Sequence, residues 1–173
     1  REPMFFKRLG LAIDQVEADY DVVVIDCPPQ LGFLTMSALI AATTVLITVI
    51  PSMLDIASMN QFLQMTAGLL SVVSSYGASL EYDYLKFLIT RFEPSDGPQA
   101  QMAGFLRALF TDQVMTHTFL KSTAVSDAGL TQQTLYEVDR GEFNRNTYDR
   151  AVESINSVVG EMEELIQAAW GRG

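Results

Sequence analysis

The stretch YDVVVIDCPPQLG, residues 20–32, decides how the rest of the chain is interpreted. Its residues Val22–Ile25 are four consecutive β-branched apolar residues. Such a run without polar alternation is typical of a strand buried on both faces of a parallel sheet. Because proline has no backbone N–H to donate, Pro28 and Pro29 end this strand. The sequence therefore predicts a central strand near 21–26 with the Asp26 carboxylate at its C-terminal end.

The position of Asp26 indicates a ligand site. Ligands of open α/β sheets bind at the C-terminal ends of the strands. An acid placed there, behind an apolar strand, is how a Walker-B aspartate holds the magnesium of a bound nucleotide. A simpler interpretation stays open from these residues alone, because an acid after an apolar strand is a loose pattern. In that interpretation Asp26 only ends the strand and accepts hydrogen bonds from a turn.

Composition restricts the function classes. The 173 residues are 49% hydrophobic, which is enough for one domain with a substantial core. The net charge of −10 argues against a broadly basic nucleic-acid binder, although a local basic patch is compatible with it. The single cysteine, Cys27, rules out an intrachain disulfide and is expected to be a small buried side chain. No apolar run reaches the roughly 20 residues of a membrane helix.

Strands and helices alternate along the remaining sequence. Further apolar strands are predicted near 45–50 and 84–90, with a short fourth one at 114–116. The alternation predicts an α/β fold with a mostly parallel sheet and helices on both faces. Helical spacing of apolar residues places the helices near 5–16, 32–42, 53–76, 105–110 and 147–169. The run Glu153, Glu161, Glu163 and Glu164 in the last helix is expected to be solvated.

Five stretches together resemble one protein family: residues 21–32, 34–43, 45–49, 51–59 and 125–131. They are similar to the ParA/MinD group of deviant-Walker ATPases, and within it to the RepA-type partition ATPases of repABC plasmids. The resemblance extends over nearly the whole chain but only to the C-terminal half of such proteins. It implies a P-loop NTPase-like, three-layer α/β/α fold, in which residues 1–173 form the C-terminal part of a ParA-type ATPase domain.

The phosphate-binding loop of this family is expected upstream of the present sequence. A P-loop needs glycines, so that backbone N–H groups approach the phosphates, and a lysine. None of the lysines, Lys7, Lys86 and Lys121, follows a glycine. The 173 residues alone are therefore expected neither to hydrolyse ATP nor to bind it tightly.

The resemblance also assigns roles around a bound ATP. Asp26 would be the catalytic residue whose carboxylate holds Mg²⁺, through a water, and Pro28, Pro29 and Gly32 would form the switch-II turn that senses the γ-phosphate. The adenine would lie against residues after a later strand, with the loop near 119–121 on its other side. Those residues are Thr90, Arg91 and Phe92. For Arg91, a simple surface charge at the end of a strand is an equal alternative.

The resemblance finally implies partners. Relatives form an ATP-dependent homodimer that binds DNA non-specifically, and a ParB/RepB-like centromere-binding protein stimulates their hydrolysis. The candidate DNA-binding residues here are Lys121, Arg140, Arg145 and Arg150, although pairing with acids such as Asp149 is an alternative for each. The expected function is plasmid partition in the bacterial cytoplasm, on the nucleoid and not on a membrane. A MinD-like membrane-associated positioner and a non-catalytic interaction module are the alternatives. The acidic last helix disfavours the former.

Overall fold

Two parallel strands and six α-helices form the regular structure of residues 7–28, 30, 32–75 and 81–171, which the computed structural model describes. This arrangement confirms the predicted α/β class. In none of the described helices are length and apolar character sufficient for a membrane span. In chain order the elements are α1 (Arg8–Ile13), α2 (Phe33–Ala41), β1 (Thr44–Val49), α3 (Met53–Ser75), β2 (Tyr84–Ile89), α4 (Gly97–Phe110), α5 (Thr123–Leu130) and α6 (Arg145–Trp170).

The parallel pair β1–β2 confirms the strands predicted near 45–50 and 84–90. Just beyond the C-terminal end of β2, the Thr90 N–H donates to the Val49 carbonyl at 2.9 Å. The end of β2 is deeply buried, and Ile89 has no exposed surface. Val114 forms a single parallel bridge with Phe87, so the predicted strand at 114–116 is reduced to one residue pair.

The strand predicted near 21–26 is wrong for this structure. Residues 22–28 have no regular secondary structure, and the Val24 side chain is 83% exposed. β-branched residues favour an extended backbone, but a strand also needs a neighbour that supplies hydrogen-bond donors and acceptors. Within the described ranges no segment pairs with residues 22–25. Cys27 is exposed for the same reason, and its expected burial is also wrong.

One compact unit comprises Arg1–Val45 and Ser58–Tyr84. Here α1 packs on α2, and a Cβ added at Gly10 would lie 3.9 Å from the Ala41 Cβ, so the helices approach closely at this glycine. The Tyr82 hydroxyl donates to the Leu39 carbonyl at 2.8 Å, and its burial raises the pKa of Tyr82. The helix predicted near 5–16 is shorter than expected and ends at Ile13, while Phe5 and Phe6 lie outside the described residues.

The other compact unit comprises Leu46–Ala57 and Leu85–Gly173. Two hydrophobic clusters contribute to its core among the described residues. The first joins Leu88 of β2, Met115 and Val158 of α6. The second is made mostly of alanines, which let α5 pack closely on α6, and its buried residues are Ala124, Ala128, Leu135 and Ala151.

Side-chain caps set where the helices of this unit begin. The Asp96 carboxylate accepts the Gln99 N–H at 3.2 Å, so α4 begins at Gly97, well before the predicted 105–110. The Asn144 side chain accepts the Thr147 N–H at 3.3 Å, which places the start of α6 two residues before the predicted 147.

Candidate functional site

The Asp26 carboxylate is exposed and lies in the irregular segment before α2. Within the part of the chain that the structure describes, no residue forms a hydrogen bond or an ion pair with it. The same part contains no group of three His, Cys, Asp or Glu side chains that could enclose a metal. Magnesium in nucleotide sites keeps several waters and takes only one or two protein carboxylates, besides the phosphates. A single unpartnered carboxylate fits that kind of site.

A tight loop follows Asp26 and is fastened to α2. The Gln30 N–H donates to the Pro28 carbonyl at 2.7 Å, and the Gly32 N–H donates to the Gln30 carbonyl at 2.9 Å. The Thr35 hydroxyl also donates to the Gln30 carbonyl, at 2.6 Å. Gly32 is the N-cap residue of α2, and Pro29 lies outside the described residues.

Thr35 is a residue that the sequence reasoning missed. It stands in the first turn of α2, whose other residues are apolar except for Ser37, and only 5% of its surface is exposed. A buried hydroxyl needs a hydrogen-bond partner, which Thr35 finds in the loop. The signal was therefore the polar side chain within an apolar helix, but its partner could not be read from the sequence.

The other candidate residues follow β2, in the second unit. Arg91 has a φ of 51°, in the left-handed region that is uncommon for residues other than glycine. Its neighbour Phe92 forms a parallel bridge with Leu120. The Phe92 N–H donates to the Phe119 carbonyl at 3.1 Å, and the Lys121 N–H donates to the Phe92 carbonyl at 2.9 Å. The structure thus joins Phe92 to residues 119–121, and the resemblance placed residues 90–92 and 119–121 on two sides of one ligand.

Side chains from two helices hold the segment that leads to Phe119. The Arg107 guanidinium of α4 donates to the carbonyls of Met115 and Thr116 at 2.9 and 3.0 Å. The Glu161 carboxylate of α6 accepts the N–H groups of Thr116 and His117 at 2.7 and 2.8 Å. The expectation that Glu161 is a solvated charge is therefore wrong, because both of its carboxylate oxygens accept hydrogen bonds from backbone N–H groups.

Asp26 and Thr90–Phe92 belong to different compact units.

The four candidate DNA-binding residues differ in their surroundings. Arg140 donates from Nε and Nη2 to the two Asp149 oxygens at 2.7 and 2.5 Å. This hydrogen bonding raises the pKa of Arg140 and lowers the pKa of Asp149. Lys121, Arg145 and Arg150 are exposed, and no ion pair holds them among the described residues. Arg145 and Arg150 are five residues apart in α6, so they project about 140° apart around it.

Comparison with known proteins shows that the chain is similar to replication and partition proteins. A model of the AAA domain family matches residues 4–74. Over 171 residues the chain is 57% identical to "Putative replication protein A" of Rhizobium rhizogenes, a match that covers 99% of the chain and 42% of the relative. It is 31% identical to protein SopA of Escherichia coli K12 over 94% of the chain and 42% of that protein.

A third relative is the chromosome partitioning protein ParA of Myxococcus xanthus, 33% identical over 62% of the chain and 36% of that protein. The chain spans about two-fifths of the length of the first curated relatives, 42% and 41%. Over the part that it covers, the chain is homologous to the RepA-type, ParA and SopA proteins, and its residues 4–74 match the AAA domain family.

Proposed function

We propose that the chain is part of a plasmid-partition ATPase of the ParA/RepA type, in which ATP drives the formation of a DNA-binding homodimer. The observation that supports this most is the hydrogen-bonded contact of Phe92 with residues 119–121. These are the segments that the resemblance assigns to the two sides of the adenine. Thr90 and Arg91 directly precede this contact, and the left-handed backbone at Arg91 is the kind of local strain that clusters at ligand sites.

Asp26 would supply the acidic side of the phosphate region. Its carboxylate is exposed and has no partner among the described residues, so no ion pair has to be broken before a hydrated cation can be held. Magnesium, when bound there with ATP, would neutralise charge on the β- and γ-phosphates. The loop through Pro28, Pro29 and Gly32 would sense the γ-phosphate, and the Thr35 hydroxyl would tie that loop to α2.

DNA would be bound weakly and without sequence preference. Lys121, Arg145 and Arg150 are exposed and form no ion pair in the described structure, although the charge of Arg145 also helps to lower the pKa of Asp149, so they can approach phosphates. Arg140 is held by Asp149 and is a weaker candidate. Because the chain carries a net charge of −10, only a few phosphate contacts are available, so binding should be weak, and added salt should weaken it further. A ParB/RepB-like partner would stimulate hydrolysis and release the DNA.

The proposal is tested by comparing a longer protein, which carries a phosphate-binding loop before residue 1, with the 173-residue chain. The longer protein should hydrolyse ATP in the presence of Mg²⁺ and should be retained on DNA only with ATP. Calorimetry on the 173-residue chain should show no tight ATP binding, because no phosphate-cradling loop is present in its sequence. Absence of any hydrolysis by the longer protein, with and without its partner, would contradict the proposal and favour a non-catalytic interaction module.

A further inference from the structure

Ser154 of α6 holds the segment before Lys121 from the side opposite to β2. Only 7% of its surface is exposed. Its hydroxyl accepts the Leu120 N–H at 2.9 Å and donates to the Thr118 carbonyl at 3.0 Å. One side chain therefore satisfies a backbone donor and a backbone acceptor on either side of Phe119.

The backbone directions explain why this contact matters. In an extended chain the polar groups of successive residues point to opposite sides. The Phe119 N–H and carbonyl both bond to the side of β2, at Ile89 and Phe92. The Thr118 carbonyl and the Leu120 N–H, on either side of Phe119, point away from β2. A further strand would pair with them there, but the Ser154 hydroxyl bonds to both instead.

We propose that Ser154 is a positioning residue for the nucleotide base. It fixes residues 118–120 and so sets where Phe119 and Lys121 lie against Phe92. This inference rests on the proposed function, in which the base lies against Thr90–Phe92 and residues 119–121. Without the hydroxyl, two backbone groups lose their partner, and a polar group without a partner is costly to bury. The segment must then shift, and displacements of about 1 Å at a binding site are enough to weaken it strongly.

Ser157 provides a matched control on the same helix. It lies one turn further along α6, and its hydroxyl donates to the Glu153 carbonyl at 2.9 Å, within α6 itself. Removing it deletes the same atom from the same kind of residue. The hydrogen bonds of Thr118 and Leu120 do not involve Ser157 and should persist.

The test measures the dissociation constants of two ligands with the longer, loop-containing protein. ATP carries the base, whereas inorganic tripolyphosphate has none. Ser154→Ala should weaken ATP binding about tenfold and leave tripolyphosphate binding unchanged, while Ser157→Ala should alter neither. Ser154→Cys leaves no cavity, because its sulfur is somewhat larger than the oxygen that it replaces, but it has only a weak hydrogen-bonding group. It should therefore reproduce the loss for ATP.

Equal losses for ATP and tripolyphosphate, or no loss for ATP, would overturn the role of Ser154. If the unchanged protein binds neither ligand, the proposed function itself fails, and the two failures are thus distinguished. If both Ser154 variants are unfolded, hydrogen exchange of the Leu120 amide in the unchanged protein tests the inference instead. ATP should slow that exchange more than tripolyphosphate does, and equal exchange with the two ligands would contradict the inference.

Discussion

The Arg140 guanidinium and the Asp149 carboxylate form a two-point ion pair, with N···O distances of 2.7 and 2.5 Å. The pair connects the short 3₁₀ turn Arg140–Glu142 to the second turn of α6. Both side chains are about half exposed, so solvent screens the pair and its effect on the free energy of unfolding is small.

The direction of the pH dependence follows from Asp149. Its pKa is lowered from the ordinary value of 3.8, so the contribution of the pair is fully present above that value. It is lost as the pH falls through the lowered pKa in the folded protein. We therefore expect Asp149→Asn to lower the melting temperature slightly at pH 6 and to have no effect in strong acid. Thermal melting at both pH values checks this, and an equal effect at both would contradict the ion-pair account.

A second prediction concerns DNA. Reversing Arg145 and Arg150 to Glu, together with Lys121, should abolish ATP-dependent retention of the longer protein on DNA without unfolding it, because each reversal turns an attraction for phosphate into a repulsion. Among single reversals, Arg140→Glu is the matched control and should reduce retention least, since its guanidinium is already paired. Filter retention at several salt concentrations measures the effect. An unchanged triple variant, or an Arg140→Glu effect as large as that of Arg145→Glu, would reject this assignment.

A third prediction concerns Thr35. Thr35→Val keeps the shape of the buried side chain but removes its hydrogen bond to Gln30, and should lower the free energy of unfolding by about 1 kcal/mol. Ser37→Ala is the control, because the Ser37 hydroxyl bonds within α2, to the Phe33 carbonyl at 3.0 Å. Denaturant unfolding of both variants measures the difference. If Ser37→Ala lowers the free energy of unfolding as much as Thr35→Val does, the hydrogen bond from Thr35 to the loop contributes no more than a bond within the helix.

A fourth prediction concerns the unpaired segment. Val24 is 83% exposed, so Val24→Lys in the 173-residue chain should change the free energy of unfolding by no more than about 0.5 kcal/mol. Denaturant unfolding measures the change. A loss of several kcal/mol, which is the cost of burying an unpaired charge, would contradict the exposed, unpaired position of Val24.

An element was predictable when its own apolar spacing was enough to identify it. The stripe Ala151, Ile155 and Val158 has helical spacing and gave α6 to within two residues. Val22–Ile25 were misread because a strand depends on a neighbour that no local pattern supplies. Nothing in the sequence indicates the left-handed backbone of Arg91 either, since residues other than glycine rarely adopt that conformation.

The polar contacts of α6 were only partly predictable. Ser154 stands three residues after Ala151 and four before Val158, so its spacing alone indicates burial, but not which backbone groups it binds. Glu161 was obscured by the neighbouring glutamates, which made a solvated run the natural interpretation. Both cases show that tertiary hydrogen bonds of a helix cannot be read from its own pattern.

The most direct test of the account is the steady-state ATPase rate of Asp26→Asn in the longer protein, with and without the partner protein. The substitution keeps the size of the side chain and removes its charge, and Asp21→Asn makes the same change at another exposed position of the same segment. Because positioning and electrostatics provide most of the catalysis of phosphoryl transfer, Asp26→Asn should lower the rate by about two orders of magnitude or more. Asp21→Asn should leave it near normal, and both proteins should melt as the unchanged protein does. A near-normal rate for Asp26→Asn would contradict the assignment of Asp26 as the residue that holds the magnesium of ATP.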